Sequence, residues 1–191
     1  MMLKTATENI VRCSIVGDGL VGKTSLVKKF VLNTYSESYD ATVFDNFAGH
    51  VAVSDKKYTV SVFDTAGQRD YEDLRVFTYA QSDVIIVCYS AVDRNSYDNI
   101  TDFWIPEIRT YVGKSIPIIL VATQTDLCNN KNECVSTHEG EVLAGKIRAS
   151  SFLEISANDS EGVRDLFKGV VVNALKKRNS KVRLLKKIFR R

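Results

Sequence analysis

The chain has 191 residues, of which 45% are hydrophobic and 26% are charged, a balance typical of one globular domain rather than a disordered or fibrous protein. Its formal net charge of +3 hides an asymmetry, because residues 176–191 hold nine Lys and Arg and no acid, whereas residues 1–175 carry a net charge of −6. No apolar run approaches the ~20 residues that cross a bilayer, and no signal peptide is recognised at the start.

The four cysteines, at positions 13, 88, 128 and 134, form no C-x-x-C pair. Cys13 and Cys88 fall within predicted strands, where we expect buried free thiols. Together with the missing signal peptide, this favours a soluble, reduced, intracellular protein.

Strand and helix patterns alternate along the chain. They predict a strand at 10–16, a helix around 26–31, a hairpin of strands 47–53 and 58–63 around residues 54–57, a strand at 84–89, a helix at about 95–111, a strand at 116–121, a short strand at 152–155 and an amphipathic helix over 163–174. We therefore predict an α/β fold with a mostly parallel six-stranded sheet, one antiparallel hairpin strand and helices on both faces. Residues 9–176 are predicted to form the domain, with an N-terminal extension at 1–8 and a basic tail at 177–191.

A phosphate-binding motif follows the first strand. The sequence GDGLVGKT at 17–24 fits G-x-x-x-x-G-K-[ST] and lies between a strand and a helix, as that motif requires. Gly17 and Gly22 allow the backbone N–H groups to face phosphate oxygens, Lys23 brings a positive charge to the β- and γ-phosphates, and Thr24 offers a hydroxyl to Mg²⁺. The alternative is an ordinary glycine turn.

The sequence DTAGQ at 64–68 follows the second hairpin strand. Asp64 could hold a metal ion, Gly67 could offer its N–H to a γ-phosphate, and the Gln68 amide could orient an attacking water. D-x-x-G is common by composition, so an ordinary turn at the end of the strand remains the alternative.

Two further segments follow later strands, TQTD at 123–126 and Ser156-Ala157. The Asp126 carboxylate can accept hydrogen bonds from N1–H and the exocyclic amine of guanine, a donor pair that adenine lacks. The backbone of Ser156 and Ala157 could meet the base carbonyl. Because ligands bind at the carboxyl ends of such strands, these segments together predict a guanine site.

In this order the motifs resemble those of small GTPases of the Ras superfamily over residues 9–176. The segments YDATVFDNF at 39–47, DTAGQRDYEDLR at 64–75 and WIPEIR at 104–109 are most similar to the Rho family, closest to its Cdc and Rac types. The resemblance implies a P-loop GTPase fold and a switch that hydrolyses GTP slowly, at a rate of order 10⁻⁴–10⁻² s⁻¹. It further implies signalling to the actin cytoskeleton, cell polarity or membrane traffic.

The resemblance also assigns roles to residues. Gln68, Lys23 and Thr42 would be catalytic, and Thr24, Thr42 and Asp64 would hold Mg²⁺. GTP or GDP would be bound by Gly17, Asp18, Gly19, Val21, Gly22, Lys23, Thr24, Ser25, Tyr39, Thr42, Asp64, Gly67, Thr123, Gln124, Asp126, Ser156 and Ala157. Effectors would meet Val43, Phe44 and Asp45 of switch I (residues 39–47, which include Thr42), and switch II (residues 67–77) would contact exchange factors and GTPase-activating proteins.

Four features depart from the usual pattern of the family. Ala41 replaces a proline, Arg69 replaces the glutamate after the catalytic glutamine, and residues 128–137 leave room for only a remnant of the Rho insert helix. The chain ends in IFRR, without the C-a-a-X box that prenylation needs. These differences predict an atypical member.

The basic tail is predicted to be a prenyl-free membrane anchor. On a helix of about 100° per residue, one arc of about 160° holds the apolar residues Val182, Leu184, Leu185, Ile188 and Phe189. Such a helix suits an anionic membrane surface, which predicts a peripheral protein on the cytoplasmic face of a membrane. A solvated tail or a nuclear-import signal remains the alternative.

Three other functions share some of these sequence features. A P-loop ATPase or nucleoside kinase shares the phosphate loop but lacks the pairing of TQTD with DTAGQ. A GTP-binding scaffold with little or no hydrolysis is opposed by the presence of Gly19, Thr42, Gly67 and Gln68. Nucleic-acid binding is disfavoured because aromatic residues do not interrupt the basic tail apart from Phe189.

Overall fold

The computed structural model describes residues 9–32, 42–130 and 133–188, with side chains for all of these except Arg69 and residues 181–188. The strands are β1 (Ile10–Val16), β2 (Phe44–Val53), β3 (Lys56–Thr65), β4 (Val84–Ser90), β5 (Ile118–Thr123) and β6 (Ser151–Glu154). The helices are α1 (Lys23–Leu32), α2 (Glu72–Gln81), α3 (Arg94–Asn99), α4 (Ile105–Val112), α5 (Thr137–Ile147) and α6 (Ser160–Ile188). Short 3₁₀ turns lie at Arg69–Tyr71 and Thr125–Leu127.

The six strands form one sheet in the order β2-β3-β1-β4-β5-β6. Only β2 and β3 pair antiparallel, and every other neighbouring pair is parallel. This confirms the predicted α/β class and the single antiparallel strand. The carboxyl ends of β1, β3, β4, β5 and β6 therefore lie along one edge of the sheet, where their following loops meet.

Helices cover both faces of the sheet, as predicted. On one face Leu26 and Val27 of α1 pack with Phe167 and Val170 of α6, all fully buried. On the other face a second core contains side chains from α2, α4 and α5, among them the fully buried Ile108. Because an apolar core covers each face of the central sheet, the sequences of β4 and β5 are apolar up to their last residue and do not alternate with polar residues.

The hairpin is tighter than the sequence suggested. Its turn has two residues, Ser54 and Asp55, at φ 48° and 61°, rather than the predicted four at 54–57. Positive φ at both positions is the conformation whose twist matches that of the flanking strands. Because the turn is short, Lys56 and Lys57 belong to β3 and their strand pairs continuously with β2.

Two other boundaries differ for a reason that involves proline. Strand β5 begins at Ile118 rather than at 116, because Pro117 has no N–H to donate to a ladder. The predicted helix at 95–111 is α3 and α4 joined by a five-residue π-helical turn, Ile100–Trp104. This wider turn ends two residues before Pro106, whose ring nitrogen has no N–H to donate within a regular helix.

The last helix is longer than the predicted amphipathic segment. α6 runs from Ser160 to Ile188, so the predicted boundary at residue 176 is not marked by a break in the helix. The helical conformation expected for the tail is present as far as Ile188, whereas Phe189 and the last two residues lie outside the described part of the chain. Within that part, no helix is both long and apolar enough to cross a membrane.

The cysteines correct one expectation. Cys128 and Cys134 form a disulfide, with their Cα atoms 6.0 Å apart, so the prediction of a fully reduced protein is wrong for this pair. Their spacing of six residues is one that a search for C-x-x-C does not detect. Cys13 and Cys88 are free and buried, as predicted. Residues 128–130 and 133–136 form no helix, so no remnant of an insert helix occurs among the described residues there.

Candidate functional site

The loop between β1 and α1 is built on backbone conformations that its glycines permit. Gly17 and Gly22 have φ of 141° and 84°, in the region that L side chains rarely adopt. A Cβ on Gly17 would lie 2.2 Å from the carbonyl oxygen of Cys88, so β4 leaves no space for a side chain there. Leu20 also has a positive φ, 66°, and its side chain is exposed. The loop thus curls closely over the end of the sheet, as the motif predicts.

Lys23 is the first residue of α1 and lies across this loop. Its buried ammonium group donates hydrogen bonds to the carbonyl oxygens of Gly17 and Asp18, at 2.8 and 2.6 Å. Burial lowers the pKa of Lys23, and nearby Asp64 opposes that shift. A cation held inside the loop by two carbonyls is placed to meet the oxygens of a phosphate at the start of α1.

The three residues predicted to hold Mg²⁺ lie together, although they are distant in sequence. The Thr24 hydroxyl donates to Asp64 Oδ2 at 2.6 Å and lies 2.9 Å from the Thr42 hydroxyl. Because Thr24 has a single hydroxyl proton, and Asp64 accepts it, Thr42 must be the donor in the second bond. Two hydroxyls and one carboxylate therefore meet between α1, β3 and the start of the segment that leads into β2.

Asp64 has features of a ligand for a hard cation. It is fully buried, and its Oδ1 accepts no hydrogen bond from any residue that the structure describes. Burial raises the pKa of Asp64 to about 6, and the hydrogen bond from Thr24 opposes the shift. A buried carboxylate oxygen without a donor is costly unless something else satisfies it. This oxygen and the two hydroxyls are the all-oxygen donor set that Mg²⁺ prefers, so the residues present fit the ion.

Gly67 brings the segment after β3 directly against the phosphate loop. A Cβ on Gly67 would lie 2.4 Å from both the carbonyl carbon of Asp18 and the backbone nitrogen of Gly19. Only glycine allows this approach. Gln68 follows Gly67 and is exposed. It therefore lies next to the phosphate loop, as its predicted catalytic role requires.

A buried ionic group beneath this segment was not predicted from the sequence. The fully buried guanidinium of Arg75 donates to both carboxylate oxygens of Glu107, at 3.0 and 2.8 Å, and to the carbonyl oxygen of Gln68 at 2.5 Å. Tyr79 donates to Glu107 as well, at 2.6 Å. Arg75 and Glu107 lie in the segments that marked the resemblance, Arg75 within the predicted switch II, but no sequence pattern indicated an individual role for either residue.

The carboxylate of Asp18 is directed away from the phosphate side of the loop. It accepts hydrogen bonds from the Trp104 indole at 2.7 Å and from the Asn99 amide at 2.6 Å. Trp104 also lies under the Arg75 guanidinium, 5.2 Å from its central carbon. Only the backbone of Asp18 is therefore placed to contact a phosphate, and its side chain ties the loop to α3 and to the π turn that precedes α4.

A pocket forms where the predicted base-binding segments meet. It is lined by residues of the phosphate loop and α1, by the end of β5, and by the loops that follow β5 and β6: Gly22, Ser25, Leu26, Thr123, Gln124, Asp126, Leu127, Ser156, Ala157 and Asn158. Every base-binding residue predicted from the sequence is in this set. Asn158, which donates to Asp126 at 3.2 Å, and Leu127 were not predicted, because no pattern marked them.

Two side chains of this pocket hold it to the phosphate loop. The Thr123 hydroxyl donates its single proton to the carbonyl oxygen of Val21 at 2.6 Å, and the carbonyl oxygen of Tyr89 lies 2.9 Å away as the alternative acceptor. The Gln124 amide donates to the carbonyl oxygen of Leu20 at 3.1 Å. Val21 itself is buried in the core, so its predicted contact with a nucleotide could only come from its backbone.

Some predicted residues lie outside the described part of the chain or have no described side chain. Tyr39 and Ala41 belong to residues 33–41, and the side chain of Arg69 is not described. Val43 and Phe44, predicted to meet effectors, are exposed at the start of β2. Leu74 and Phe77 of α2 are exposed as well.

A comparison with protein families agrees with this geometry. The sequence model of the Ras family matches residues 12–176, which include every described residue that the pocket, the phosphate loop and the hydroxyl–carboxylate cluster use.

Proposed function

The chain belongs to the Ras family, whose members are P-loop GTPases, and from this premise we propose that it is a Rho-type switch that binds GTP and hydrolyses it slowly to GDP. The observation that carries the proposal is the meeting of three sites on one edge of the sheet. These are the phosphate loop with Lys23, the cluster of Thr24, Thr42 and Asp64, and the pocket of Asp126 and Ser156.

In the proposed complex, the base lies in the pocket and the phosphates lie along the loop. Asp126 accepts hydrogen bonds from the two guanine donors, while the Ser156 and Ala157 backbone meets the carbonyl. Backbone N–H groups from Gly19 to Thr24 and the ammonium of Lys23 surround the phosphates, where the N-terminus of α1 adds its dipole.

The proposed Mg²⁺ site uses Thr24, Thr42 and Asp64. When bound, the ion would neutralise charge on the β- and γ-phosphates. The residues of the chain supply the rest: Thr42 is the link to switch I, and Asp64 is held in place by its bond from Thr24. Thr42 therefore connects the state of the γ-phosphate to the segment that begins at Val43.

Hydrolysis is proposed to proceed by in-line attack of water on the γ-phosphate. The Gln68 amide orients the water, and Lys23 stabilises the charge that spreads over the phosphate oxygens. The carbonyl of Gln68 is fixed by Arg75, which leaves the side chain to reach the phosphate side. Loss of the γ-phosphate removes the contacts that order both switches, which is the conformational signal.

Small GTPases generally act with exchange factors, activating proteins and effectors. Here we propose that the exposed residues Val43, Phe44 and Asp45, together with α2, form the surface that contacts these partners. Four exposed apolar side chains support this assignment: Val43 and Phe44 at the start of β2, and Leu74 and Phe77 on α2. Signalling to the actin cytoskeleton, polarity or membrane traffic, at the cytoplasmic face of a membrane, belongs to the same proposal and rests on the resemblance and on the basic tail.

The test is a change of base specificity. Asp126→Asn replaces an acceptor by an amide that can donate to the extra carbonyl of xanthine, so GTP affinity should fall by at least a hundredfold while xanthosine triphosphate is preferred. Displacement of a fluorescent guanine nucleotide by GTP, ATP and xanthosine triphosphate measures this for both proteins.

Asp55→Asn is the matched control, since it makes the same change in the hairpin turn, far from the pocket. It should keep the preference of the wild type for GTP over ATP. Equal GTP affinity in the wild type and Asp126→Asn would contradict the assignment of the base pocket, and a wild type that prefers ATP would contradict the proposed function.

A further inference from the structure

A groove of about 860 Å³ lies at the end of the domain opposite the phosphate loop. It is bounded by the end of α4 and the loop that leads to β5, by the end of α5, by the start of β6 and by the middle of α6. Ile116 and Pro117 precede β5, whereas Thr123 and Gln124 of the base pocket follow it. The groove and the base pocket are therefore separated by the length of a six-residue strand, roughly 20 Å.

The groove is strongly basic although the domain around it is acidic. Its lining contains six cationic side chains from three separate parts of the chain: Arg109, Lys114, Lys146, Arg148, Lys176 and Lys177. No Asp or Glu is among the described residues that line it. Four of the six lie within residues 1–175, which as a whole carry a net charge of −6, and the other two, Lys176 and Lys177, belong to the basic segment 176–191. Folding thus collects positive charge at one place on an acidic domain, and such a concave cationic site attracts anions.

The groove also has a floor and fixed donors. Ile116 and Ile147 are buried at its base, with Ile105 partly buried beside them. The Arg109 guanidinium donates to the carbonyl oxygens of Gly113 and Ile116, at 3.0 and 3.3 Å, which fixes one cation at the wall. An apolar floor with convergent polar groups and a volume of several hundred Å³ is typical of a site for a small ligand.

We propose that this groove binds a small ring that carries two or more phosphomonoester groups, as presented by the headgroup of a phosphorylated inositol lipid. Each phosphate would accept hydrogen bonds from lysine or arginine side chains on different walls, and the ring would lie over the isoleucine floor. Ser115 and Ser150 at the rim add hydroxyl donors. A single carboxylate or phosphate would use only part of this set of cations.

A lipid-held headgroup is favoured over a free one by the course of α6. This helix supplies Lys176 and Lys177 to the groove and continues to Ile188 in the basic segment of the chain. A headgroup seated in the groove would therefore lie beside the segment proposed to meet the membrane. The nucleotide edge and the exposed residues of β2 and α2 would remain accessible to protein partners. The inference does not depend on GTP hydrolysis.

The test compares two triple variants of the full chain. The groove variant is Lys114→Gln with Lys146→Gln and Arg148→Gly, and Arg148 suits this design because its φ of 55° is one that glycine adopts more easily than arginine. The control variant removes the same number of charges elsewhere, by Lys56→Gln, Lys57→Gln and Arg164→Gln, all exposed. Thermal unfolding and GDP retention establish that both variants fold.

Binding is measured to phosphatidylcholine vesicles that carry phosphatidylinositol bisphosphate, and to vesicles of matched charge that carry phosphatidylserine. Each basic residue near an anionic surface accounts for about a fivefold change in affinity, so three removed anywhere would cost up to about a hundredfold on either vesicle. The wild type and the control variant should bind the bisphosphate vesicles at least tenfold more tightly than the phosphatidylserine vesicles. The groove variant should lose that preference.

Calorimetry with soluble inositol trisphosphate separates the two sources of the ligand. It should show binding to the wild type and the control variant and none to the groove variant. Binding of the soluble compound without a vesicle preference would overturn the lipid source. An equal loss of preference in both triple variants would show that only net charge matters, and a wild type without any preference and without trisphosphate binding would overturn the site.

Discussion

Gly67 is the residue at which two predicted functional segments touch. Its Cα faces the backbone of Asp18 and Gly19 so closely that an added Cβ would lie 2.4 Å from both. The contacting atoms are backbone, so a side chain could not be accommodated by a rotamer change. The position therefore depends on glycine for packing as well as for a predicted phosphate contact.

We expect Gly67→Ala to lower the free energy of unfolding of the GDP-bound protein by about 1–3 kcal/mol, because the added methyl forces the two loops apart. Gly145→Ala is the matched control, since a Cβ there meets nothing within 4 Å and α5 gains helix propensity. Chemical denaturation should show opposite signs for the two substitutions. Equal stability of Gly67→Ala and the wild type would contradict the close approach.

At this scale the sequence predicted residue types better than the direction of side chains. The motif at 17–24 and the cluster of Thr24, Thr42 and Asp64 meet in space as expected. The carboxylate of Asp18, predicted with the nucleotide ligands, instead binds Asn99 and Trp104, which are 81 and 86 residues away. No local pattern indicates such a distant partner, because the contact depends on how α3 and α4 pack against the loop.

Helix α5 begins with a complete N-terminal cap. The Ser136 hydroxyl accepts the Glu139 N–H at 3.3 Å, and the Glu139 carboxylate accepts the Ser136 N–H at 2.9 Å, which is a capping box. Arg94 donates to the same carboxylate at 2.8 Å. The bond from Arg94, followed by those from Ser136, lowers the pKa of Glu139 to about 2.

Glu139→Ala should lower the free energy of unfolding by about 1 kcal/mol near neutral pH, since it removes half of the box. The folded pKa lies below the ordinary 4.5, so the stabilisation is complete above pH 4.5 and declines as the pH falls towards 2. Denaturation at several pH values should therefore show the variant and the wild type converging in acid. Glu141→Ala, exposed on the same helix and outside the capping box, is the matched control and should change the free energy of unfolding near neutral pH by less than about 0.5 kcal/mol.

The order and type of the elements followed from periodicity, whereas two of their details did not. The π turn at Ile100–Trp104 depends on Pro106, which lies within a helical sequence pattern. From such a pattern alone, a π turn cannot be distinguished from a proline kink. The group of Arg75, Glu107 and Tyr79 joins α2 to α4 beneath Gln68. Predicting it requires the packing of two helices that are about 30 residues apart in sequence.

For the whole molecule, the parallel sheet and its two covered faces were predictable because strands and helices alternate and the apolar runs are continuous. The Cys128–Cys134 disulfide was not, since it depends on a 6.0 Å approach of two loop positions. The membrane role of the tail stays a prediction: α6 reaches Ile188, but the side chains beyond Ser180 are not described.

We expect Leu185→Ser with Phe189→Ser to weaken binding to phosphatidylserine vesicles by at least tenfold, because these changes keep every charge and remove apolar burial. Lys186→Gln with Lys187→Gln is the complementary control, which keeps the apolar arc and should weaken binding through lost attraction to anionic lipids, leaving the remaining affinity less sensitive to salt. Vesicle sedimentation measures both. Undiminished binding of the serine variant would show that charge alone attaches the tail.

We propose that the phosphate loop, the cluster of Thr24, Thr42 and Asp64, and the base pocket together make a GTPase whose attacking water is oriented by Gln68. Single-turnover hydrolysis of bound GTP tests it most directly, with the wild type, Gln68→Leu, and Gln81→Leu as a matched change at the exposed end of α2. We predict slow conversion to GDP by the wild type and Gln81→Leu, and a rate lower by about tenfold or more in Gln68→Leu with GTP still bound. Equal rates in the wild type and Gln68→Leu, or bound GTP that the wild type never converts, would contradict the account.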